Sequence, residues 1–246
     1  MRGRSGERIR VATFNIKHAA AKYGYRGLPD QLAQSCAELE ADVLALQEVD
    51  VGVPRSRHAD LARVAAEACG MSYYFAKARK HAYRGQYGNA LLVRGSIADV
   101  DVVRLAGDHR HNLVIGPVVL KPFREPRNAI VATARVRGQA ISIGTGHFAC
   151  EPHVRHSQLA RAAGSLVSRP GPRILCGDFN IASTQAAEWL EPYGLHLAQA
   201  QLDPADPSAR PDIDHVAVSG FVVHRVETRW LSVSDHPAKI ADVTVA

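Results

Sequence analysis

The chain has 246 residues, of which 46% are hydrophobic and 22% charged, a length and apolar content ample for a full hydrophobic core. No stretch approaches the roughly 18 apolar residues of a membrane span, which excludes an integral helical membrane protein. The 30 Lys and Arg against 24 Asp and Glu give a net charge of +6, which favours polyanionic partners, although a basic surface also serves solubility alone.

No linker or break in composition divides the chain, so we predict a single domain over residues 1–246. Residues 1–10 are basic but lack the apolar run of a secretory signal, from which we expect a cytoplasmic protein if Met1 is the native start. No obligate protein partner is evident. The cysteines show no C-x-x-C spacing and are interpreted as reduced, mostly buried thiols at positions Cys36, Cys69, Cys150 and Cys176.

The first part of the chain is predicted to interleave strands and helices. Apolar residues alternate or run continuously in the strand segments, and recur at helical spacing between them. We predict strands over residues 9–16, 43–49 and 72–76, and helices over residues 28–39 and 58–69.

The rest of the chain begins with strands and turns and then alternates again. We predict strands over residues 89–93, 100–105, 129–136, 140–145, 174–177, 213–219, 222–228 and 239–245, with a tight turn at 137–139. Helices are predicted over residues 152–167 and 183–190, the second capped by Ser183. Many strands and four helices indicate an α/β sandwich, in which helices cover two packed sheets from outside.

Two polar residues end the first two strands. Asn15 lies in Thr13-Phe14-Asn15-Ile16, and Glu48 lies in Leu46-Gln47-Glu48-Val49. Mg²⁺ prefers oxygen ligands, commonly one or two carboxylates with water and substrate phosphate. Glu48 could supply such a carboxylate beside the neutral Asn15. The alternative is that Glu48 only ends a strand and Asn15 only fills a turn.

The segment Gly177-Asp178-Phe179-Asn180 follows a third buried strand. Strand alternation would turn Asp178 and Asn180 the same way while Phe179 enters the core. An acid and an amide in that arrangement could hold a water molecule, with the carboxylate accepting its proton. Gly177 would let the backbone approach closely. The same spacing also occurs in plain turns.

The acid and imidazole of Asp235-His236 stand just before the last predicted strand. His236 could donate to a phosphate oxygen as negative charge develops there. Asp214 begins another strand and could orient a neighbour. Asp212 and His215 compete for that assignment, because alternation puts Asp212 and Asp214 on one face.

Glu125 opens one predicted strand, within Arg124-Glu125-Pro126-Arg127, and His147 ends the next. If these strands are neighbours, Glu125 could hold the imidazole of His147 in one tautomer and raise its basicity. The alternative is a surface salt bridge and a histidine at a strand end.

A basic segment, residues 77–84, precedes the strand that contains Asn89. Its Lys and Arg residues, with Tyr83 and the nearby Tyr87, could grip phosphates and stack a base or sugar. The segment could equally be a solvated loop.

Taken in order, these segments resemble the endonuclease/exonuclease/phosphatase family, which includes deoxyribonuclease I, exonuclease III and neutral sphingomyelinases. The resemblance runs from Thr13 to His236 and includes residues 86–92, which are similar to the family's central strand. It implies a four-layered α-β-β-α sandwich, with two mixed β-sheets packed face to face, helices outside, and a Mg²⁺-dependent site at one edge, where Mn²⁺ could substitute.

The resemblance also implies roles for individual residues. The expected metal-side residues are Asn15, Glu48 and Asp235, and the expected catalytic residues are Glu125, His147, Asp178, Asn180, Asp214 and His236. The expected substrate contacts are Arg84, Tyr87, Asn89 and Arg127.

The expected reaction is attack of a water positioned by Asp178 on a phosphoester, with inversion at phosphorus. A nuclease acting on nucleic acid is the first interpretation, favoured by the net charge, the basic segment and the pair Glu125 and His147. The alternative substrates are small-molecule or lipid head-group phosphoesters, because fold does not choose the substrate. A binding module without catalysis is disfavoured, because every polar motif is present.

Overall fold

The computed structural model describes residues 7–21, 23–81, 84–109, 114–115, 118–119, 124–199 and 212–246. These residues form two six-stranded sheets, a two-stranded ribbon and four α-helices. The ribbon pairs Val114–Ile115 with Val118–Val119. Tyr83, expected to help contact the substrate, lies outside the described residues.

The first sheet joins the two ends of the chain. Its strands are Ile9–Asn15 (β1), Val43–Val51 (β2), Ser72–Lys80 (β3), Gln86–Val93 (β4), Phe221–Arg229 (β13) and Ala238–Val245 (β14). They lie in the order β13-β14-β1-β2-β4-β3. The central strands β1 and β2 are parallel, whereas the other neighbours are antiparallel. The carboxyl ends of β1 and β2 therefore meet at one edge.

The second sheet is built from the middle of the chain. Its strands are Gly95–His109 (β5), Arg124–Val136 (β8), Gln139–His147 (β9), Arg173–Asp178 (β10), His196–Leu197 (β11) and Asp214–Ser219 (β12). The two strands of the separate ribbon are numbered β6 and β7. The strands of the second sheet lie in the order β11-β12-β10-β9-β8-β5. Here β9 and β10 are the parallel pair. The same arrangement of carboxyl ends is thus repeated in the second sheet.

Helices cover the outer face of each sheet. They are Pro29–Glu38 (α1), Leu61–Cys69 (α2), Pro152–Val167 (α3) and Ser183–Leu190 (α4). Leu32 of α1 and Leu61 of α2 pack with the first sheet, and Leu159 of α3 and Leu190 of α4 pack with the second. None of the helices in the described part of the chain is both long and apolar enough to cross a membrane.

Apolar side chains on both faces of each sheet build the layers. Val11 and Val43 point between the sheets and pack with Ile143 and Ile174, whereas their neighbours Ala12 and Leu44 face the helices on the outer side. Near-continuous apolar runs are the signature of strands that are buried on both faces. The predicted sandwich of two mixed sheets with helices outside is confirmed.

Several local details differ from the sequence predictions, and strands β5 and β8 are also longer than predicted. Helix α2 begins at Leu61 rather than at residue 58, because Asp60 caps it by accepting a hydrogen bond from the backbone N–H of Arg63 at 3.0 Å. The predicted cap of α4 by Ser183 is wrong, since the N-cap residue is Ala182 and no side chain caps this end. Strand β3 continues to Lys80, so half of the supposed basic loop is sheet.

The cysteine prediction is correct for the redox state but only partly for burial. All four thiols are free. Cys36 and Cys176 are buried, Cys69 is partly exposed and Cys150 is exposed. Burial raises the pKa of the Cys176 thiol to about 12, which keeps it protonated and inert.

Gly177 permits the close approach that its sequence position suggested. Its φ is +152°, and a Cβ at this position would lie 2.1 Å from the carbonyl oxygen of Gly146 on β9. We predict that Gly177→Ala lowers the free energy of unfolding by about 3 kcal/mol, measured by urea denaturation. Gly70→Ala is the control, because residue 70 has a φ of +62° but open space around it, and should cost only about 1 kcal/mol. Equal stability of Gly177→Ala and the parent would refute the steric argument.

Candidate active site

The ends of four strands bring the predicted polar residues together at one edge of the sandwich. Asn15 ends β1, Asp178 ends β10, His147 ends β9 and Asp214 begins β12. Asp178 is in register with both His147 and Asp214 on its neighbouring strands. Residues separated by long stretches of sequence therefore share one small volume.

Asn15 links the two sheets at this edge. Its side chain is buried, and its Nδ2 donates to Glu48 Oε1 at 3.1 Å and to Asp178 Oδ2 at 3.0 Å. Its Oδ1 accepts a hydrogen bond from the backbone N–H of Lys17 at 3.1 Å. One amide thus fixes the relative position of two carboxylates from different sheets.

Glu48 occupies an irregular position in β2. The pairing of β2 with β4 shifts between Leu46 and Val49, and Glu48 has a φ of 58°. Left-handed backbone at a non-glycine residue costs of order 1–3 kcal/mol and persists only where its surroundings impose it. Glu48 is also partly exposed, whereas its neighbours on the strand are buried. The bulge therefore presents a carboxylate at the opening of the site.

The second sheet and the final turn contribute an acid, acid and imidazole cluster, consisting of Asp178, Asp214 and His236. One ligand atom from each lies within 4.8 Å of the others. Asp214 Oδ2 is 2.9 Å from Nδ1 of His236, and Asp178 Oδ2 is 3.9 Å from the same nitrogen. Both aspartates are almost fully buried. Two buried carboxylates thus share one partly exposed imidazole.

Burial and mutual repulsion set the charges of this cluster. Burial, followed by the charge of Asp214, raises the pKa of Asp178 to about 7. Burial also raises the pKa of Asp214. For His236, burial alone would lower the pKa, but the hydrogen bond to Asp214 and the nearby carboxylate charges raise it to about 9. At neutral pH the imidazole is therefore a cation, and Asp178 can both take and release a proton.

Asn180 is positioned by a turn rather than by strand alternation. Strand β10 ends at Asp178, and Asn180 has a φ of 56°. Its backbone N–H donates to Asp178 Oδ1 at 3.0 Å, and its Nδ2 donates to the carbonyl oxygen of Phe148 at 2.8 Å. Phe179 is fully buried, as expected. The turn orients Asp178 through its backbone and holds the Asn180 amide beside it.

Strands β8 and β9 are antiparallel neighbours, which meets the condition set for a contact between Glu125 and His147. Glu125 Oε2 lies 3.1 Å from Nη2 of Arg127, and both side chains are buried. His147 Nε2 lies 3.4 Å from Asp178 Oδ2. The structure thus joins His147 to the cluster through Asp178, while its pairing with Glu125 stays a prediction.

The late acid in the cluster is Asp214 rather than Asp212, because Asp212 forms an ion pair with Lys239. Asp235 also lies apart from the three clustered groups. Its Oδ2 is 2.9 Å from Lys17 Nζ, and its side chain is 37% exposed. The structure therefore gives Asp214, and not Asp235, the central place among the carboxylates of the final segments.

The expected substrate contacts differ in exposure. Arg84 is exposed, whereas Asn89 and Arg127 are buried. Asn89 Nδ2 donates to Asn128 Oδ1 and to the carbonyl oxygen of Asn128, both at 3.0 Å. Tyr87 is only 5% exposed, so it cannot offer a free ring face to a base in this conformation.

Sequence reasoning missed residues that support the site. Gln47 is buried between the sheets, where its Oε1 accepts from Thr13 Oγ1 and its Nε2 donates to Thr145 Oγ1, each at 3.3 Å. Ser234 Oγ donates to the carbonyl oxygen of Asn15 at 2.6 Å and accepts from the backbone N–H of His236 at 3.1 Å. Their signal was their position inside the motifs, directly beside Glu48 and Asp235.

The donor set fits a hard divalent cation. Glu48 and Asp178 supply carboxylate oxygens that both accept from the Asn15 amide, and Asp214 lies beside Asp178 with its Oδ1 buried and without a hydrogen-bond partner among the described residues. Oxygen donors of this kind suit Mg²⁺ and Mn²⁺, and a cation would also relieve the repulsion that raises the carboxylate pKa values. The residues present are therefore compatible with a metal-dependent site.

Comparisons with known proteins agree with this fold. A family model described as Endonuclease/Exonuclease/phosphatase family matches residues 12–236. A comparison with curated proteins finds no match. An endonuclease/exonuclease/phosphatase structure from Beutenbergia cavernae has a TM-score of 0.74 and 18% identity, covering 97% of this chain and 72% of that one.

Two further structures carry descriptive names. The human nocturnin catalytic domain with bound sulfate has a TM-score of 0.68 and 20% identity, covering 97% of this chain and 95% of that one. ANGEL2, described as a 2',3'-cyclic phosphatase, has a TM-score of 0.68 and 14% identity, with 97% and 95% covered. At these identities the likeness establishes a shared fold.

Proposed function

The chain belongs to the endonuclease/exonuclease/phosphatase family, whose members generally hydrolyse phosphoester bonds with a metal ion, and we propose that it is a Mg²⁺-dependent nuclease formed by a single catalytic domain. The observation that carries the proposal is the cluster of Asp178, Asp214 and His236 beside the bridge from Asn15 to Glu48. It combines a proton acceptor, a fixed cation and oxygen donors within one site.

Asp178 is the proposed general base. Its pKa of about 7 matches the neutral range, in which a base must be ionised yet still able to accept a proton from water. The hydrogen bonds from Asn15 and from the backbone of Asn180 hold the two carboxylate oxygens in fixed directions. Asn180 and His147 flank this carboxylate, and they would help to orient the water for in-line attack with inversion at phosphorus.

His236 is the proposed electrostatic partner of the phosphoryl group. Its Nδ1 is held by Asp214, so the opposite nitrogen is available to donate to a non-bridging oxygen. Because its pKa is raised to about 9, the ring is already protonated at neutral pH. It can therefore act as a cation without first taking up a proton. A fixed cation of this kind stabilises charge that develops in the transition state. Asp214 acts through His236 as a positioning residue.

Glu48 and Asn15 would hold the metal ion, with Asp178 and Asp214 nearby. When bound, Mg²⁺ would neutralise negative charge on the phosphoryl oxygens. For Asp235 we propose a more distant role, in which it would fix the turn that carries His236; its ion pair with Lys17 supports this. Mn²⁺ would substitute because it accepts the same oxygen donors.

We predict that Glu48→Gln raises the Mg²⁺ concentration for half-maximal activity by about tenfold or more, because the variant keeps the side-chain shape but loses one charged ligand. Direct Mn²⁺ titration by electron paramagnetic resonance should show the same loss of affinity without any substrate. Glu67→Gln, an exposed carboxylate on α2, is the matched control. An unchanged metal titration in Glu48→Gln would remove Glu48 from this role.

Nucleic acid is the proposed substrate, in line with the net charge of +6 and the basic residues around β3. The second candidate is a small-molecule or lipid head-group phosphoester. It is favoured by the fold shared with ANGEL2, which is described as a 2',3'-cyclic phosphatase.

One assay separates these candidates. Supercoiled plasmid, abasic-site duplex, RNA, bis(p-nitrophenyl) phosphate and a sphingomyelin emulsion are incubated with Mg²⁺ or with EDTA, with Asp178→Ala as the blank. A nuclease should cleave a nucleic acid with Mg²⁺ only, and its activity should fall steeply with salt. Turnover confined to a small or lipid substrate, with little salt dependence, would overturn the nuclease assignment. Turnover that persists in EDTA or in Asp178→Ala would overturn the proposed site.

A further inference from the structure

A wall of aromatic and basic side chains borders the site on the side of Glu48. It is formed by residues 17–21 and 23–27, called the turn below, and by the end of β3 and the start of β4. The backbone N–H of Gly27 donates to the carbonyl oxygen of Arg55 at 2.8 Å, and the backbone N–H of Leu28 donates to the carbonyl oxygen of Ala19 at 2.9 Å. The turn is therefore fixed onto the neighbouring segment rather than attached at its ends only.

Two tyrosine side chains project from this turn into solvent. Tyr23 is 93% exposed and Tyr25 is 75% exposed. A bridge between Ala20 and Gly27 closes the turn, and a Cβ at Gly27 would lie 2.6 Å from the carbonyl oxygen of His18. The ring of Tyr25 contacts the edge of His18, with 6.4 Å between ring centroids, yet most of both tyrosine side chains stays accessible to solvent, and large exposed apolar surfaces of this kind indicate a binding surface.

Arg79 is a guanidinium without an acidic partner in the same wall. Its Cζ lies over the ring of Tyr87, 4.9 Å from the centroid, and among the described residues no carboxylate is within ion-pair distance of it. Its Nη2 is 2.9 Å from His81 Nε2, which must accept this hydrogen bond as a neutral imidazole. Burial, followed by the charges of Arg79 and Arg55, lowers the pKa of His81, consistent with that neutral state.

Arg55 behaves differently, which sharpens the role of Arg79. Arg55 donates to both carboxylate oxygens of the buried Asp50, at 2.7 and 2.9 Å, and Ser56 Oγ donates to the same group at 2.7 Å. Its charge is thus compensated inside the protein, and its Cζ packs 5.8 Å from the centroid of Tyr87. Both guanidinium groups therefore pack on the ring of Tyr87. Of the two, Arg55 is paired with Asp50, whereas Arg79 has no carboxylate partner among the described residues.

The register of the sheet places this charge two strands across from the strand of Glu48, about 10 Å at the usual strand spacing, with β4 between β2 and β3. Tyr87 pairs with Asp50 on β2 and with Arg79 on β3. Asp50 is two residues beyond Glu48, which corresponds to about 7 Å along a strand. The exposed Lys77 and Lys80 continue the positive charge along β3. An extended anionic chain with one phosphate at the site would therefore meet positive charge at its next positions.

We propose that Tyr23, Tyr25 and Arg79 form a strand-binding surface for single-stranded nucleic acid, with bases stacked on the tyrosines and a neighbouring phosphate held by Arg79. The inference rests on the proposed function and narrows its substrate class. Single strands suit this surface because their bases are free to stack, and stacking together with a basic track is the usual chemistry of single-strand binding.

The test is direct binding without cleavage. A fluorescein-labelled 12-mer of thymidine is titrated in EDTA and followed by anisotropy at several salt concentrations. Tyr25→Ala should weaken binding about fivefold or more without changing the salt slope. Arg79→Gln should weaken binding and reduce the magnitude of the slope by roughly 0.7, the value for one phosphate contact on a single strand. The matched controls are Tyr73→Ala, at the opposite end of β3, and Arg63→Gln on α2, both of which should bind like the parent.

The outcomes separate this inference from the proposed function. Failure of the parent to bind the 12-mer, or equal binding by all four variants, would overturn the strand-binding surface even if the parent hydrolyses bis(p-nitrophenyl) phosphate with Mg²⁺. Loss of binding in Tyr25→Ala and Arg79→Gln would support the surface even if no phosphoester were hydrolysed. Binding of the parent to phosphatidylserine vesicles but not to the 12-mer would overturn it in favour of a membrane.

Discussion

Asp178→Asn is expected to lower kcat by about 10³-fold while making the metal-free protein more resistant to unfolding at alkaline pH. The activity falls because asparagine cannot accept the proton of the attacking water, and general bases contribute typically 10²–10⁴-fold. The fold should survive, because the amide oxygen can still accept the hydrogen bond from the backbone N–H of Asn180.

The stability change follows from the raised pKa of Asp178. Its folded-state pKa of about 7 lies above the ordinary value of 3.8, so the folded protein binds this proton more tightly than the unfolded chain does. The parent therefore loses stability as pH rises from about 4 to about 7, when the buried carboxylate must ionise. Asp178→Asn has no such group and should lack this loss.

Urea denaturation in EDTA at pH 4.5 and pH 8 measures the effect. The difference in the free energy of unfolding, variant minus parent, should be greater at pH 8 by on the order of 2–4 kcal/mol. Comparing the two pH values removes the constant cost of any hydrogen bond lost with the substitution, such as the one that Asn15 donates to Asp178. If the difference in the free energy of unfolding between variant and parent did not change with pH, the pKa of Asp178 would not be raised in the folded protein.

His236→Gln is expected to lower kcat by about 10²-fold or more and to change the shape of the pH profile. The activity falls because the variant lacks the fixed cation beside the negative charge that develops on the phosphoryl oxygens. Removal of a comparable hydrogen-bond donor costs about 10²–10³-fold in kcat in other enzymes. In the parent, activity should rise as Asp178 ionises, at a pH below the metal-free pKa of about 7 because bound Mg²⁺ favours the carboxylate, and should fall at alkaline pH as His236 loses its proton.

The variant should lose the alkaline limb of this profile, because the titrating imidazole is absent. Its acidic limb should move to higher pH, since Asp178 no longer benefits from the charge of His236. Saturating Mg²⁺ is kept equal for both proteins, so that its effect on the carboxylates is shared. His224→Gln on the exposed strand β13 is the control. Retention of the alkaline limb in His236→Gln would assign it to another group.

The architecture of the protein was predictable because its signals are local. Buried strands, helical spacing and turn residues follow from neighbours in sequence, and β9 joins β8 through the predicted turn at residues 137–138. The polar residues at strand ends were equally visible, because the motifs of Asn15, Glu48 and Asp178 each follow an apolar run.

What the sequence could not supply are the contacts and conformations set by tertiary packing. Asn15 and Asp178 are 163 residues apart, so nothing local reveals that one amide joins them. The left-handed backbone of Glu48 breaks the strand alternation on which its orientation would have been predicted. Asp235 and Asp214 are similar in sequence context, and tertiary structure distinguishes them: Asp214 is buried in the cluster, whereas Asp235 is partly exposed and paired with Lys17.

Tyr87 illustrates the same limit for substrate contacts. Its position beside a basic segment predicted a ring that stacks on a base, yet packing buries the ring under guanidinium groups. Because β3 extends to Lys80, it brings Arg79 into register with Tyr87, which a loop would not have done. The predicted basic segment thereby acquires a definite geometry, and the expected substrate contact shifts from Tyr87 to Arg79.

The most direct measurement is the fate of labelled oxygen during hydrolysis of bis(p-nitrophenyl) phosphate in H₂¹⁸O with Mg²⁺, followed by mass spectrometry. We predict that each cleaved bond places one ¹⁸O in p-nitrophenyl phosphate, and that both label and product disappear in EDTA and in Asp178→Asn. Label in p-nitrophenol, or undiminished turnover in EDTA or in Asp178→Asn, would contradict metal-dependent attack on phosphorus by a water activated at Asp178.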